Sequence, residues 1–240
     1  MGRDKEVSKT LLVLTIAGMI EPVSKAICSL KDELDILIMD DATPEAVGIR
    51  KFCKDNNFLF QTKEKPKGLT DSWNRVYQFF KYSNYENCIL SNDDVLFPKG
   101  FSSGLIEGLK HFDIVAPLSN KPGSGTHQDI KKFIGIKPDE QNINKIQDEL
   151  LIKFKDDPFL PCKDFNGFCF AFSKSIIRFA FSEDYLSDPK YNFGNEYELA
   201  NRLKERKGII ALCKASYVWH FKRATVNKFN IKGVNLWNNG

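Results

Sequence analysis

Two pairs of adjacent aspartates, Asp40-Asp41 and Asp93-Asp94, each follow a short apolar run. Neighbouring carboxylates after a buried strand repel one another unless a cation or strong donors compensate, and hard divalent ions such as Mg²⁺ and Mn²⁺ take such oxygen ligands. Asp pairs also form turns and helix N-caps, a reading that weighs more for Asp40-Asp41, which precedes Thr43-Pro44, than for Asp93-Asp94. A third acid, Glu196, is the second residue of the stretch NEYELANRL, where Leu199, Ala200 and Leu203 share one helical face. Glu196 falls on the first turn of that face, so it points toward the core or a cleft, or simply complements the helix dipole. His220 closes the apolar approach Tyr217-Val218-Trp219 and precedes Lys222-Arg223. A histidine among aromatics is usually a core residue; it becomes a ligand here only if the last segment returns to the rim that carries Asp93. His111 and His127 have no such support.

The elements that must position these groups follow from periodicity. Short β-branched runs alternate with amphipathic stretches, which predicts a mostly parallel sheet joined by crossover helices. Strands are expected over 11–17, 35–39, 58–61, 88–90, 114–116, 167–172 and 209–212, and helices over 22–30, 44–56, 70–82, 98–111, 174–181 and 196–206. Thr70 is the expected N-cap of its helix, with Trp73, Val76, Tyr77 and Phe80 on one face. From Leu118 to Asp164 the composition turns polar, with only 141–154 helical, the pattern of a substrate-specific insertion. In an open parallel sheet, ligands bind beyond the carboxyl ends of the strands, so both Asp pairs would meet one rim.

Composition excludes several classes. With 240 residues, 42% hydrophobic and 28% charged, the chain is an ordinary globular one, expected to form a single domain of two lobes because no linker divides it. Its 35 basic and 31 acidic residues are spread evenly, so the net charge of +4 forms no stripe for nucleic acid and only hints at weak membrane-surface contact. The run Leu11–Ile20 is too short to span a bilayer and lacks a signal cleavage site, so no transmembrane segment is expected. Six cysteines without a CxxC pair read as free thiols in a cytoplasmic setting. Neither GxGxxG nor GxxxxGK[ST] is present, so phosphates must be neutralised by other means.

Taken in order over residues 9 to 225, these residues resemble the family-2 glycosyltransferases of the GT-A fold. The family's Asp-Asp-x-Ser/Thr turn is matched by Asp40-Asp41-Ala42-Thr43, and its Asn-x-Gly…Asn helix start by Lys67-Gly68 through Asn74, with Trp73 where many members have Arg. The DxD motif falls on Ser91-Asn92-Asp93, followed by Asp94; the acidic Glu-Asp-x-Asp-Leu-x-x-Arg motif falls on Asn195 to Arg202; the late histidine is His220. The segment Asn166-Gly167-Phe168 resembles the family's acceptor-side glycine segment.

The resemblance implies a GT-A-like α/β domain with a nucleotide-sugar-binding half (9–117), an acceptor-side half (118–225) and a tail (226–240). It implies contacts to the nucleotide sugar from Thr15, Asp40, Asp41, Lys67, Gly68, Asn74, Ser91, Asn92, Asp93, Asp94, Lys222 and Arg223, with Thr225 near the diphosphate. Asp93, with Asp94 and His220, would hold a divalent metal, Mn²⁺ or Mg²⁺. Glu196, aligned on the family's catalytic acid, would be the base of an inverting transfer of a hexosyl or related sugar to a hydroxyl of a glycan, glycolipid or other acceptor. Two alternatives stand beside it. One is a non-catalytic nucleotide- or glycan-binding module on the same fold. The other is a sugar-nucleotide nucleotidylyltransferase, whose Gly-rich, Arg-bearing loop Ala17-Gly18-Met19-Ile20 does not supply. Segments 118–164 and 182–194 are expected to shape the acceptor site.

Overall fold

The computed structural model describes residues 9–16, 20–123, 127–179, 185–188 and 195–222. Every residue of β1 (Thr10–Ile16) is buried, and its side chains divide with the period of a strand. Leu11 and Val13 enter one apolar cluster, Leu12, Leu14 and Ile16 the other. A run without polar alternation, TLLVLTI, is therefore a central strand covered on both faces.

Around it, the described residues form a mixed sheet of nine strands. β2 (Asp35–Asp40), β3 (Leu59–Gln61) and β4 (Asn87–Asn92) join β1 in parallel, in the order β3-β2-β1-β4. Beyond β4 the pairing turns mixed. β8 (Cys169–Ser173) lies antiparallel between β4 and β6 (Ile114–Ser119), and β9 (Ile210–His220) runs parallel to β6. β5 (Val95–Leu96) and β7 (Phe159–Cys162) pair antiparallel with β9; neither was expected from the sequence, being only two and four residues long.

Helices cover both faces. α1 (Ile20–Ser29), α2 (Ala46–Asp55) and α4 (Phe101–Gly108) pack on one, α3 (Leu69–Tyr82) and α6 (Asn195–Glu205) on the other. The expected apolar face of α3 is the buried one: Trp73, Val76, Tyr77 and Phe80 all lie in the core. Its N-cap is Gly68, not Thr70. Gly68 takes φ 84°, a conformation a Cβ opposes, and Thr70 sits inside the helix with its hydroxyl turned to another element. The expected helix over 174–181 is a 3₁₀ helix over Lys174–Phe179.

The polar stretch after Leu118 contributes a third cluster: Ile130, Ile134 and the α5 residues (Ile143–Lys153) Ile143, Ile146 and Leu150, against Leu118 and Tyr217. β9 bulges where its register to β6 jumps from Pro117↔Cys213 to Leu118↔Tyr217. The fully buried Gln147 of α5 serves that bulge, donating to Ala215 O (2.8 Å) and accepting from Tyr217 N (2.9 Å). Backbone groups freed from the ladder thus keep partners. The bulge lets β9 run on past the length expected for it, to His220.

Candidate active site

β5 places Val95 opposite His220, so the tight bend at Asp93-Asp94 meets the last residue of β9. Phe221 N donates to Asp94 O at 2.9 Å, closing that corner. His220 Nε2 lies 3.3 Å from Asp94 Oδ1, with both side chains nearly buried. The other ring nitrogen, Nδ1, is 2.8 Å from the carbonyl of Lys121, which only accepts, so Nδ1 carries a proton. Asn120 holds the His220 backbone from both sides, accepting from its N–H (2.7 Å) and donating to its carbonyl (3.3 Å).

A neutral His220 therefore turns a lone pair toward Asp94 Oδ1, a buried oxygen without a hydrogen-bond donor among the described residues. Two electron-rich atoms at this distance need a positive charge between them, either a proton on Nε2 or a metal ion. The donor set fits a divalent cation: one carboxylate oxygen, and one imidazole oriented through its far nitrogen by a carbonyl. Among the described residues no three His, Cys, Asp or Glu side chains cluster to hold an ion alone. Such an ion would complete its shell from outside the protein, as Mg²⁺ does on phosphates. Of the aspartate pair, Asp94 is the one that faces His220, whereas the sequence pointed first to Asp93, which is also buried.

The Phe168 ring stacks on the imidazole, 4.9 Å between centroids at 20°. Its carbonyl accepts from Asn92 N (2.9 Å) and from Ser91 Oγ (3.1 Å), fastening this residue to the end of β4. Next to it, a Cβ on Gly167 would lie 2.9 Å from the Trp73 ring and 3.3 Å from Glu196 Oε2, so only glycine fits between them. The backbone N–H groups of Glu196 and Gly167 favour the charged Glu196 carboxylate. Burial raises its pKa from the ordinary 4.5, and the two N–H groups pull it partly back. The step Gly167-Phe168 thus carries the acid on one side and the histidine on the other.

Glu196 is seated by a buried polar network. Asn195 Oδ1 accepts from Thr70 Oγ1 (2.9 Å) and from Ser187 Oγ (3.0 Å), joining the starts of α3 and α6. Asn74 grips the Ser187 backbone, donating to its carbonyl (2.7 Å) and accepting from its N–H (2.9 Å). Arg202, only 2% exposed, forms a fork with Glu198 (3.0 and 2.7 Å) and donates to the carbonyls of Tyr185 and Leu186.

At the end of β2 the acids have internal partners. Asp40, fully buried, accepts from Thr43 N and from Thr62 Oγ1 (2.5 Å). Asp41 Oδ1 accepts from Lys63 Nζ (2.6 Å) and Lys67 N (2.9 Å), and its Oδ2 from Gly68 N (2.9 Å). Lys63, its side chain fully buried, also reaches Asp71 at 3.0 Å. Thr15 donates to Ser91 O at 3.2 Å, and Ser91 is itself buried. Both hydroxyls therefore serve the strands. The side chains of Lys67 and Lys222 are exposed, while Arg223 and Thr225 lie outside the described residues, as does most of 182–194.

The structure thus brings Asp94, His220 and Glu196 to the Gly167-Phe168 step, and gives Asp40, Asp41, Asn74, Thr15 and Ser91 structural partners. Sequence reasoning missed Asn120, Lys63 and Gln128. Gln128 is fully buried, donates to Pro117 O (2.8 Å) and accepts from Asn166 N (2.6 Å), so it anchors the residue before Gly167. Each is a lone polar residue in a polar stretch, indistinguishable by pattern from a solvated one.

No family model and no curated protein matches the sequence. The fold is similar to a solved structure, GalNAc-T7 with UDP, GalNAc and Mn²⁺, with a TM-score of 0.65 at 14% identity over 90% of this chain. The chain has a GT-A-like fold. It spans 44% of the length of that neighbour.

Proposed function

We propose that this GT-A-like chain is a glycosyltransferase that moves a sugar from a nucleoside-diphosphate sugar to a hydroxyl of a glycan, glycolipid or other acceptor, with Mn²⁺ or Mg²⁺ and with inversion. The observation that carries the reading is the Gly167-Phe168 step, which ties the Glu196 carboxylate to the Asp94–His220 pair. The UDP, GalNAc and Mn²⁺ bound in the similar structure support the same donor class. Residues 9–117 are read as the donor half and 118–225 as the acceptor half of one domain.

Asp94 and His220, with Asp93 beside them, would hold the metal, whose charge when bound stabilises the diphosphate leaving group. Glu196 takes the proton of the acceptor hydroxyl while the hydroxyl oxygen forms its bond to the anomeric carbon. The bond from that carbon to the diphosphate oxygen breaks, and its electron pair leaves with the nucleoside diphosphate. Attack opposite the leaving group needs one base and no covalent sugar–enzyme intermediate, and such a base contributes about 10²–10⁴-fold. Burial makes the deprotonated Glu196 a stronger base than a solvated carboxylate. Six free cysteines favour a reducing, cytoplasmic placement.

Thermal shift with UDP, GDP, CMP and dTDP, each with Mn²⁺, Mg²⁺ or EDTA, tests the donor site, and incubation with the matching sugar nucleotides tests turnover. Stabilisation by one nucleotide is expected, by about 2.7 kcal/mol at a hundredfold excess over Kd. It should be lost with EDTA and accompanied by sugar transfer or slow donor hydrolysis. Binding without either reaction across the donor panel would make the chain a non-catalytic module, and no binding at all would overturn the donor site.

A further inference from the structure

A cleft of about 620 Å³ lies at the opposite edge of the sheet from β9, along the outer strand β3, and the reaction proposed above uses none of it. Its size is that of a small-ligand site. Arg50 and Lys54 line it from α2, Arg75 from α3, and Phe60, Gln61 and Thr62 from β3 and the residue after it. The two helices pack on opposite faces of the sheet, α2 with one apolar cluster and α3 with the other. Three cationic side chains therefore line one sheet edge from both sides, and among the described residues no carboxylate lines the cleft.

Like charges gathered this way repel unless an anion joins them. Arg75 has partial compensation, its Nε lying 3.2 Å from Asp71 Oδ2, but Asp71 also serves Lys63. Among the described residues, neither Arg50 nor Lys54 has a carboxylate within ion-pair distance. Arg50 is instead held over the Phe60 ring, 5.4 Å from its centroid. Arg50 and Lys54 are four residues apart on one helix, hence neighbours on one face. A guanidinium fork beside an ammonium suits adjacent phosphate oxygens.

We propose that this cleft is a second ligand site, for a phosphate-bearing ligand, separate from the Asp94–His220 corner and independent of the function proposed above. Thr62 in its lining donates to Asp40 Oδ2, so the ligand would lie beside the end of β2 without touching the reacting groups.

The test uses the full chain in EDTA, so that a metal-dependent donor site is silent. Inorganic pyrophosphate binding is measured by calorimetry, and vesicle binding by flotation with phosphatidylcholine alone or with added phosphatidic acid. Wild type and Asp94→Ala should bind alike, and the double variant Arg50→Glu/Lys54→Glu should bind at least tenfold more weakly, with affinity falling as salt rises. Pyrophosphate binding assigns the phosphate to a soluble ligand, and capture by phosphatidic acid vesicles alone assigns it to a lipid headgroup. Both residues are solvent-exposed on α2, so the variant should keep the wild-type melting temperature; Arg50→Gln/Lys54→Gln repeats the measurement without charge reversal. Equal binding by these variants and wild type, loss of binding in Asp94→Ala, or no binding of either probe overturns the proposal.

Discussion

Two Asp-Asp pairs end two parallel strands of one sheet, and they are used in opposite ways. At the end of β2, both Asp41 oxygens accept hydrogen bonds, from the buried Lys63 ammonium and the backbone N–H groups of residues 67 and 68, while Asp40 fastens Thr43 and Thr62. At the end of β4, Asp94 Oδ1 has no hydrogen-bond donor among the described residues unless His220 Nε2 carries a proton, and it faces an imidazole whose other nitrogen is already committed. Identical dipeptides in matching positions thus differ in what is left for a ligand. A pair whose oxygens are all satisfied supports the fold, and a pair with an unanswered buried oxygen is where an outside cation gains most.

The sharpest way to break that contrast is to remove one acid from each pair. Asp94→Ala is expected to lower sugar transfer about 10³-fold or more and to abolish Mn²⁺-dependent nucleotide binding, with little loss of melting temperature, because it removes a ligand of the metal and no hydrogen bond that holds the fold. Wild-type turnover in that variant, measured by donor consumption, would end the metal-corner reading. Glu196→Gln should cost about 10²–10⁴-fold in kcat with the nucleotide Kd unchanged. Since the base acts deprotonated, wild-type kcat/KM should rise with pH through a value above the ordinary glutamate range, and the variant's residual rate should lack this limb.

The same residue links function to stability. A carboxyl whose pKa is raised on folding binds its proton more tightly in the folded chain. Its stabilising contribution is full below the unfolded value and is lost as pH rises through the folded one, whereas a glutamine, like the protonated acid, carries no charge to desolvate at any pH. Glu196→Gln should therefore melt no lower than wild type at pH 7, with the difference vanishing below about pH 4. A neutral-pH melting temperature clearly below wild type would contradict the burial argument.

For the other pair the expected effect is on folding. Asp41→Ala leaves the Lys63 ammonium buried with less compensation and should cost about 3–5 kcal/mol in urea unfolding. Near-normal stability would show that Asp71 alone suffices for Lys63. The smallest effect is at the hinge of the site: Gly167→Ala forces a methyl against Trp73 and the Glu196 carboxylate, at about 1–3 kcal/mol. Its kcat should fall more than its nucleotide affinity, because Glu196 shifts while Asp94 stays.

Elements with a strong period were legible in the sequence. The apolar face of α3 and the Leu199-Ala200-Leu203 face of α6 lie where their spacing puts them, because burial on one side imposes a period that the chain itself displays, and the central strand, buried on both faces, shows as an unbroken apolar run. Short or bent pieces were not. β5 and β7 are too brief for a period, and β9 carries a bulge that interrupts its ladder and is answered by Gln147, a side chain 68 residues from its donor target Ala215.

The candidate site divides the same way. Residue type and order named Asp94, Glu196 and His220, since carboxylates and imidazoles after apolar runs are unusual enough to notice. Nothing in that order distinguishes them from Asp40, Asp41, Asn74 and Ser91, whose side chains the fold takes for itself. Sequence alone determined which residues have the chemistry, because hydrogen-bonding and charge belong to the side chain. Only the tertiary structure decided which of them keep it available, because a buried oxygen is satisfied or left open by partners such as Lys63, Lys67 and Gly68, 22 to 27 residues away, or by a strand 126 residues on that sets His220 against Asp94.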